Sequence, residues 1–279
     1  MAEKKKRRYS SWAAVAVFFV LAALVVWPFI EPKLLLVNNE TIESPQIPEG
    51  FDGFRIAHLS DIHHGEHFSK ERARRLVDKV NALSPDLIVI TGDYVYGSED
   101  FIGPCFEELA RLDAQYGVYS VRGNHDHWAG PALTLSEMAR AGIIDIENRG
   151  VWIERDGHRF WLGGVDDLWE SNQDGKAALG DATRDDFVVL LSHNPDYVKD
   201  APVDNIDLML CGHTHGGQVT FFGLFAPILP IEGGQRYRSG RVDEGDMTMI
   251  ISRGIGSISP AVRFFSPPEI VLIELERKG

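Results

Sequence analysis

The sequence is short of cysteine and of positive charge. Only two of its 279 residues are cysteine, Cys105 and Cys211, and two thiols cannot build a disulfide framework. Lys and Arg number 28 against 41 Asp and Glu, which gives a formal net charge of −13. Proteins that bind a nucleic-acid backbone normally present a basic surface. The acidity therefore argues against nucleic acid as a partner.

Internal repeats and low-complexity tracts are also absent, which excludes a repeat array. With 44% hydrophobic and 25% charged residues, the composition is typical of a globular protein of one large or two small domains. A chain of this length can bury a substantial core. Cys211 lies two residues before His213, but we interpret it as a buried apolar thiol at a strand end rather than as a ligand.

Uncharged, apolar stretches are short with one exception, residues 12–30, which follow the basic run Lys4-Lys5-Lys6-Arg7-Arg8. As a helix this stretch would rise roughly 28 Å, about the thickness of a bilayer core. Basic flanks stay in the cytoplasm, so the pattern predicts a single-pass anchor in the cell (inner) membrane, with the remainder extracytoplasmic. A cleaved signal peptide and twin-arginine export remain alternatives. A small-x-small cleavage site is missing before Pro28, which favours a retained anchor.

The first half of the chain alternates strands and helices. Strands are predicted over 54–59, 86–91 and 118–121, and helices over 69–83, 104–114 and 133–141. After residue 143 the pattern changes to strands over 143–146, 151–154, 158–162, 187–191, 208–210, 247–252 and 270–275. Residues 34–50 are predicted to form a linker and a first edge strand. The sequence therefore predicts an α/β fold in which two sheets pack together with helices outside.

Five predicted strands end in residues that commonly bind metals. The clusters are Asp61-Ile62-His63, Gly92-Asp93, Gly123-Asn124-His125-Asp126, Ser192-His193 and Gly212-His213-Thr214-His215. Ligands of open α/β sheets bind beyond the carboxyl ends of the strands, so these side chains are expected to converge. A pair of divalent cations needs about seven ligands with one shared. The predicted ligands are Asp61, His63, Asp93, Asn124, His193, His213 and His215.

Asp93 is the natural bridging ligand, because a carboxylate has two oxygens. Nitrogen and oxygen donors without a thiolate suit Mn, Fe or Zn. His125 is left without a metal and is predicted to hydrogen-bond a phosphoryl group or to protonate the leaving oxygen, with Asp126 orienting it. Three further residues are candidate substrate contacts, with structural roles as the alternative: His64, His127 and Arg263.

The five clusters resemble the signature blocks of the calcineurin-like metallophosphoesterases, and all five blocks are present in the same order along the chain. The resemblance implies a four-layer α/β/β/α sandwich, here behind an N-terminal transmembrane helix, with His125 as the catalytic histidine. It also implies that Asp61, His63, Asp93 and His215 hold one ion, and that Asp93, Asn124, His193 and His213 hold the other. Residues 1–33 would be the basic cytoplasmic tail and anchor, or an uncleaved signal, and residues 34–279 the phosphoesterase domain.

The apolar N-terminal run, Gly216-Gly217-Gln218 and the stretch around Arg253 and Arg263 are similar to the membrane-anchored YkuE/YaeI-type branch of this family. That branch is associated with phosphodiesterase activity and, in some members, with cleavage of UDP-diacylglucosamine in lipid A synthesis. The resemblance implies a membrane-anchored, dinuclear-metal hydrolase of a phosphodiester or pyrophosphate bond, in a lipid or envelope component.

Two alternative functions remain open. The first is a UDP-2,3-diacylglucosamine pyrophosphatase-like hydrolase of lipid A synthesis, although UDP-sugars are cytoplasmic and the charge rule places this site outside. The second is a membrane-tethered metal-binding scaffold without turnover, which would lack a ligand or His125. Neither is missing. The apolar loop 221–231, which follows the last histidine pair, is predicted to pack into the core, with binding of acyl chains as the alternative.

Overall fold

The computed structural model describes the backbone of residues 2–279, and the side chains of residue 12, residues 15–19 and residues 21–279. Helix α1 (Ala2–Ile30) opens the chain and continues into a 3-10 turn, Glu31–Lys33. The segment Val15–Lys33 has a mean hydropathy of 2.2 and is long and apolar enough to cross a membrane. Its described apolar side chains, such as Phe18 and Val25, are exposed. The described apolar side chains of this span are therefore not covered by the domain.

Twelve strands and five further helices follow in the described part of the chain. The strands are β1 (Leu36–Ser44), β2 (Phe54–Leu59), β3 (Leu87–Thr91), β4 (Val118–Val121), β5 (Ile143–Asp145), β6 (Arg149–Arg155), β7 (His158–Gly164), β8 (Val188–Leu191), β9 (Leu208–Cys211), β10 (Gly240–Glu244), β11 (Met247–Ile251) and β12 (Glu269–Arg277). The helices are α2 (Lys70–Ala82), α3 (Ile102–Leu109), α4 (Asn124–Ala129), α5 (Pro131–Arg140) and α6 (Gly175–Leu179).

The strands form two six-stranded sheets, in the orders β1-β12-β2-β3-β4-β5 and β10-β11-β9-β8-β7-β6. Apolar residues of both sheets, including Phe54, Val89, Phe160 and Leu210, meet in one buried layer. Helices α2, α3 and α5 cover the outer face of the first sheet. Helix α6 and short 3-10 turns cover the second. This four-layer α/β/β/α arrangement confirms the predicted fold class.

Helix α2 illustrates why these segments fold as they do. Its buried residues Ala73, Leu76, Val77 and Val80 recur at helical spacing and form one apolar face toward the first sheet. Strand β3 is buried along its whole length, as expected for a central parallel strand covered on both faces.

The register brings the carboxyl ends of the parallel strands to one edge of the sandwich, called here the carboxyl edge. Strand β12 runs antiparallel to β2, with Val271 opposite His58, and therefore begins at that edge. Strand β1 is parallel to β12, with Leu36 opposite Glu269. Helix α1 consequently enters the domain at the same edge at which the metal-binding sequence clusters emerge.

Three predictions need correction. The helix expected over 104–114 spans Ile102–Leu109, because the Asn81 side chain donates to the Arg111 carbonyl at 2.8 Å and accepts from the Asp113 N–H at 3.0 Å, which turns the chain away. Strand β10 was not predicted, since it is a polar edge strand without an apolar alternation. The apolar loop 221–231 is largely exposed rather than packed in the core.

Candidate metal centre

The residues predicted as ligands meet at the carboxyl edge in a strained backbone. Five of them have a positive φ, between 46° and 69°: Asp61, His63, Asp93, His213 and His215. A left-handed conformation costs a residue with a side chain roughly 1–2 kcal/mol, and such strain is characteristic of functional sites. All seven predicted ligands are buried. The loops therefore turn sharply at each strand end and direct the side chains into one space.

A first group of ligand atoms surrounds the Nε2 atom of His63. That nitrogen lies 3.0 Å from Nε2 of His215 and 3.4 Å from Oδ2 of Asp93. Nε2 of His215 lies 3.4 Å from Oδ1 of Asp61. These four residues are the set predicted for one ion.

A second group surrounds the Nε2 atom of His193. Oδ1 of Asn124 lies 3.2 Å away, Nδ1 of His213 lies 3.2 Å away, and Oδ2 of Asp93 lies 3.3 Å away. This is the set predicted for the other ion.

Asp93 joins the two groups. Its Oδ2 atom faces His63 on one side and His193 on the other, whereas Oδ1 accepts the backbone N–H of His125 at 2.9 Å. A carboxylate held in this way can bridge two cations.

Two histidines have their tautomers fixed by carbonyl groups. Nδ1 of His193 lies 2.6 Å from the Thr91 oxygen, and Nε2 of His213 lies 3.1 Å from the Pro230 oxygen. Because a carbonyl only accepts, these nitrogens carry the hydrogens, and in the neutral rings the other ring nitrogens direct lone pairs into the site. Converging lone pairs at such distances are stabilised by cations, so the donor set fits two metal ions.

Burial controls the charges of the site. It lowers the pKa of His63 and His213 to about 3, and burial, His63 and the Arg263 guanidinium lower the pKa of His215. These rings are therefore neutral, as ligands must be. Burial raises the pKa of Asp61 to about 6.

The Asp93 and His193 pair behaves differently. Burial disfavours the charge on each residue, but the charge of His193 and its hydrogen bond hold the pKa of Asp93 well below its usual range. In turn, Asp93 raises the pKa of His193 against the effect of burial. The centre thus favours positive charge next to Asp93, which is the position that a bridged cation would occupy.

Two glycines leave room for the ligands. A Cβ atom on Gly123 would lie 2.3 Å from Oδ1 of Asp93. A Cβ atom on Gly212 would lie 1.8 Å from the Ser60 hydroxyl and 2.5 Å from Oδ2 of Asp61. Any larger residue at either position would displace a carboxylate of the centre.

His125 lies beside the first group and is partly open to solvent. The centroid of its ring is 4.8 Å from that of His63, 4.6 Å from Trp128 and 5.3 Å from Tyr96. Burial lowers its pKa. The ring therefore stands at the mouth of the site, between the ligands and solvent.

Asp126 differs from its predicted role. Its carboxylate accepts the backbone N–H groups of Asp93 at 2.8 Å, Tyr94 at 2.9 Å and Gly123 at 3.0 Å. Both oxygens are thereby used to join the loops after β3 and β4. Asp126 fixes the backbone that presents Asp93 and does not orient the His125 ring.

The three candidate substrate contacts occupy different environments. Arg263 is fully buried, and its guanidinium donates to the carbonyls of Gly256 at 2.6 Å and Ser266 at 2.8 Å. Its Nη2 atom lies 3.4 Å from Nδ1 of His215. It supports His215 from behind and presents no surface to solvent, unlike the substrate contact that was predicted. His64 is also buried, with Nδ1 2.7 Å from the Phe68 carbonyl. His127 is half-buried, with Nε2 3.3 Å from Oδ1 of Asp166.

Asp167, which follows β7 at the carboxyl edge, was not among the predicted site residues. Its Oδ1 atom accepts the N–H groups of Trp169 at 2.9 Å and Glu170 at 3.1 Å. Its buried Oδ2 atom has no hydrogen-bond partner among the described residues, and its charge raises the pKa of His193. The run Gly163-Gly164-Val165-Asp166-Asp167 after a strand was the available signal.

Residues 54–217 match the calcineurin-like phosphoesterase family, and this segment contains all seven predicted ligands. The chain is 32% identical over 255 residues to an uncharacterized metallophosphoesterase, YkuE, of Bacillus subtilis, covering 89% of this chain and 88% of the relative. It is 32% identical over 231 residues to phosphodiesterase YaeI of Escherichia coli, covering 80% and 82%. It is 28% identical over 281 residues to a transmembrane protein with metallophosphoesterase domain of Danio rerio, covering 94% and 62%.

Proposed function

The chain belongs to the calcineurin-like phosphoesterase family, and on that basis we propose that it hydrolyses a phosphodiester or pyrophosphate bond of a lipid or other envelope component at a membrane surface. Family membership makes it a metal-dependent phosphoesterase with a dinuclear centre. The observation that carries the proposal is the convergence of nitrogen and oxygen donors on both sides of the Asp93 carboxylate.

The proposed ligand sets follow the two groups of atoms. Asp61, His63 and His215 would hold one cation and Asn124, His193 and His213 the other, with Asp93 shared. The two cysteines are buried, and neither belongs to a group of candidate ligands among the described residues. A set without thiolate favours Mn, Fe or Zn. A non-catalytic scaffold would be expected to lack part of this set.

When bound, the two cations would supply Lewis acidity that activates water and stabilises charge on the phosphoryl oxygens. The chain supplies position and proton transfer. His125, packed between His63 and Trp128, would in its protonated form hydrogen-bond the phosphoryl group and give a ring proton to the leaving oxygen. Asp126 would hold the loops after β3 and β4 together and so keep Asp93 and His125 in fixed relative positions.

The location of helix α1 supports a lipid-linked substrate. The helix enters the domain at the carboxyl edge, so a membrane that it crosses would lie next to the metal centre. A relative from zebrafish is named a transmembrane protein, and a relative from Escherichia coli is named a phosphodiesterase. Both names agree with the proposal.

The substrate class is tested with the full chain in detergent micelles or vesicles, loaded separately with Mn, Fe, Zn or Mg. We expect turnover of bis-p-nitrophenyl phosphate to exceed that of p-nitrophenyl phosphate, and chelation to abolish both. A panel of phospholipids and nucleotide-linked lipids then identifies the natural class. Faster hydrolysis of the monoester, or no turnover with any metal, would contradict the proposed phosphodiester specificity.

We further propose that the N-terminus is cytoplasmic and that the catalytic domain lies outside the cell membrane, because five basic residues precede the span. Alkaline phosphatase fused after Ile42 is expected to be active in a bacterial host, since that enzyme needs an oxidising compartment to form its disulfides. A green fluorescent protein fusion at the same position should be dark. The reverse pattern would favour the lipid A pyrophosphatase alternative, whose UDP-sugar substrate is cytoplasmic.

A further inference from the structure

The surface beside the metal centre contains a group of exposed apolar side chains, defined here as the apolar patch, in which Phe221 packs with Phe225 and Phe222 with Phe265. Its members are Phe221, Phe222, Leu224, Phe225, Ile228 and Phe265. Leu224 is 83% exposed and Ile228 is 79% exposed. Contiguous apolar surface of this kind on a protein normally marks a binding face.

The patch is attached directly to the end of helix α1. The Arg263 N–H donates to the Pro28 carbonyl at 3.0 Å, and the Glu31 carboxylate accepts the Phe265 N–H at 2.9 Å. The Thr220 N–H donates to the Phe264 carbonyl at 2.9 Å. Both segments that carry the patch are thus held against the last turn of the helix.

No flexible linker separates the helix from the domain. Helix α1 ends at Ile30 and continues into the 3-10 turn, where Glu31 and Pro32 are buried in the domain. Since Ile30 is still exposed and apolar, a bilayer around α1 must extend to the level at which the patch begins. A bilayer that helix α1 crosses would therefore lie against the patch.

A basic groove lies at the junction of helix α1 and the domain. It has a volume of about 640 Å³, and its lining includes Lys33, Arg72, Arg75 and Lys79 but no acidic residue. The chain as a whole carries a net charge of −13. A cluster of cations beside a membrane span attracts anionic lipid headgroups, so the charge pattern matches a lipid surface.

The loop of the patch also contacts the metal centre. It starts after His215 and returns at Pro230, whose carbonyl fixes the His213 ring at 3.1 Å. A Cβ atom on Gly217 would lie 2.2 Å from the Ala226 side chain, which shows how closely the loop folds back on the histidine pair. The position of the patch in a bilayer would therefore set the height of the metal centre above the headgroups.

We propose that the apolar patch inserts into the interfacial layer of the bilayer that helix α1 crosses, while the basic groove binds anionic headgroups. This second attachment holds the mouth of the metal centre at the lipid surface. The inference rests on the membrane anchoring proposed above and goes beyond it, because an anchor alone does not require the domain to dip into the bilayer.

The test uses the full chain in vesicles containing phosphatidylcholine and phosphatidylglycerol. Leu224→Cys and Ile228→Cys are made separately and labelled with a thiol-reactive, polarity-sensitive fluorophore, since the two native cysteines are buried. Both probes should show blue-shifted emission and strong quenching by lipids that carry a nitroxide near the headgroup. Unmodified protein, treated in the same way, gives the labelling background.

Asp185→Cys is the matched control. Asp185 is exposed and follows Arg184, whose carbonyl accepts from Gln46 just beyond the end of β1. Strand β1 begins beside helix α1 and its nine residues span roughly 30 Å, so this probe should lie far from the bilayer and remain unquenched.

The proposal would be overturned if the probes at positions 224 and 228 were quenched no more strongly than the probe at position 185. Two patch positions are used so that a folding defect in one variant does not decide the result. Carbonate extraction of the same vesicles separates the possible failures: a protein that resists extraction but has unquenched probes has an anchor without a docked patch. A protein that is extracted lacks the anchor too, and hydrolysis of bis-p-nitrophenyl phosphate reports independently on the catalytic proposal.

Discussion

Asp93→Asn is expected to lower kcat on a phosphodiester by about 10³-fold or more and to reduce bound metal from two ions per chain to one or fewer. The substitution keeps the shape of the side chain. It also keeps an oxygen that can accept the His125 N–H, as Oδ1 of Asp93 does at 2.9 Å in the unmodified protein. It removes the negative charge and the oxygen that faces both His63 at 3.4 Å and His193 at 3.3 Å. A neutral amide cannot bridge two cations.

The measurement pairs steady-state kinetics with elemental analysis of the purified protein. Asp86→Asn is the control, because Asp86 directly precedes the same strand and its carboxylate accepts only the Arg55 N–H at 2.8 Å. That variant should bind two ions and keep its rate within about twofold, as expected for surface changes away from a site. Full activity of Asp93→Asn with two bound ions would refute the bridging role and the ligand assignment that depends on it.

His125→Ala is expected to lower turnover by about 10²–10⁴-fold for a substrate with a poor alkyl leaving group, while both metal ions remain bound. The loss should be much smaller with p-nitrophenyl substrates, because p-nitrophenolate leaves without needing a proton. This difference between leaving groups separates proton donation from a purely structural role of the ring, whose neighbours are His63, Tyr96 and Trp128.

The exposed His67 provides the control His67→Ala, which should behave like the unmodified enzyme. Nitrogens of His125 and His63 lie near a carboxylate oxygen of Asp93, all within 4.8 Å of one another. Loss of one metal ion in His125→Ala would therefore make His125 a ligand instead of a proton donor. Equal losses for both leaving groups would likewise argue against proton donation.

The parts of the site that the sequence predicted are those governed by strand position. Asp61, Asp93 and His193 follow short apolar strands, and parallel strands that end at one edge must bring such residues together. The fold class followed from the same alternation of strands and helices. Neither inference needed knowledge of a contact distant in sequence.

The structure differs from expectation at side chains whose environment is made by distant loops. Arg263 has the composition of a phosphate-binding residue, but carbonyls of Gly256 and Ser266 surround its guanidinium. The role of Asp126 depends on N–H groups presented by the loop after β3. Hydrophobicity alone also placed the apolar loop 221–231 in the core, because an apolar run does not indicate whether the domain itself covers it.

The short, buried junction between Ile30 and the domain has a consequence for how the enzyme encounters its substrate. In a protein anchored as proposed, the metal centre would stay in a thin layer just above the headgroups and would not reach into the bulk solution. For a lipid-linked substrate, the rate would then depend on the number of substrate molecules per unit of membrane area, not per unit of volume. Adding inert lipid to the same vesicles would then slow the reaction even though the bulk concentrations of enzyme and substrate stayed the same.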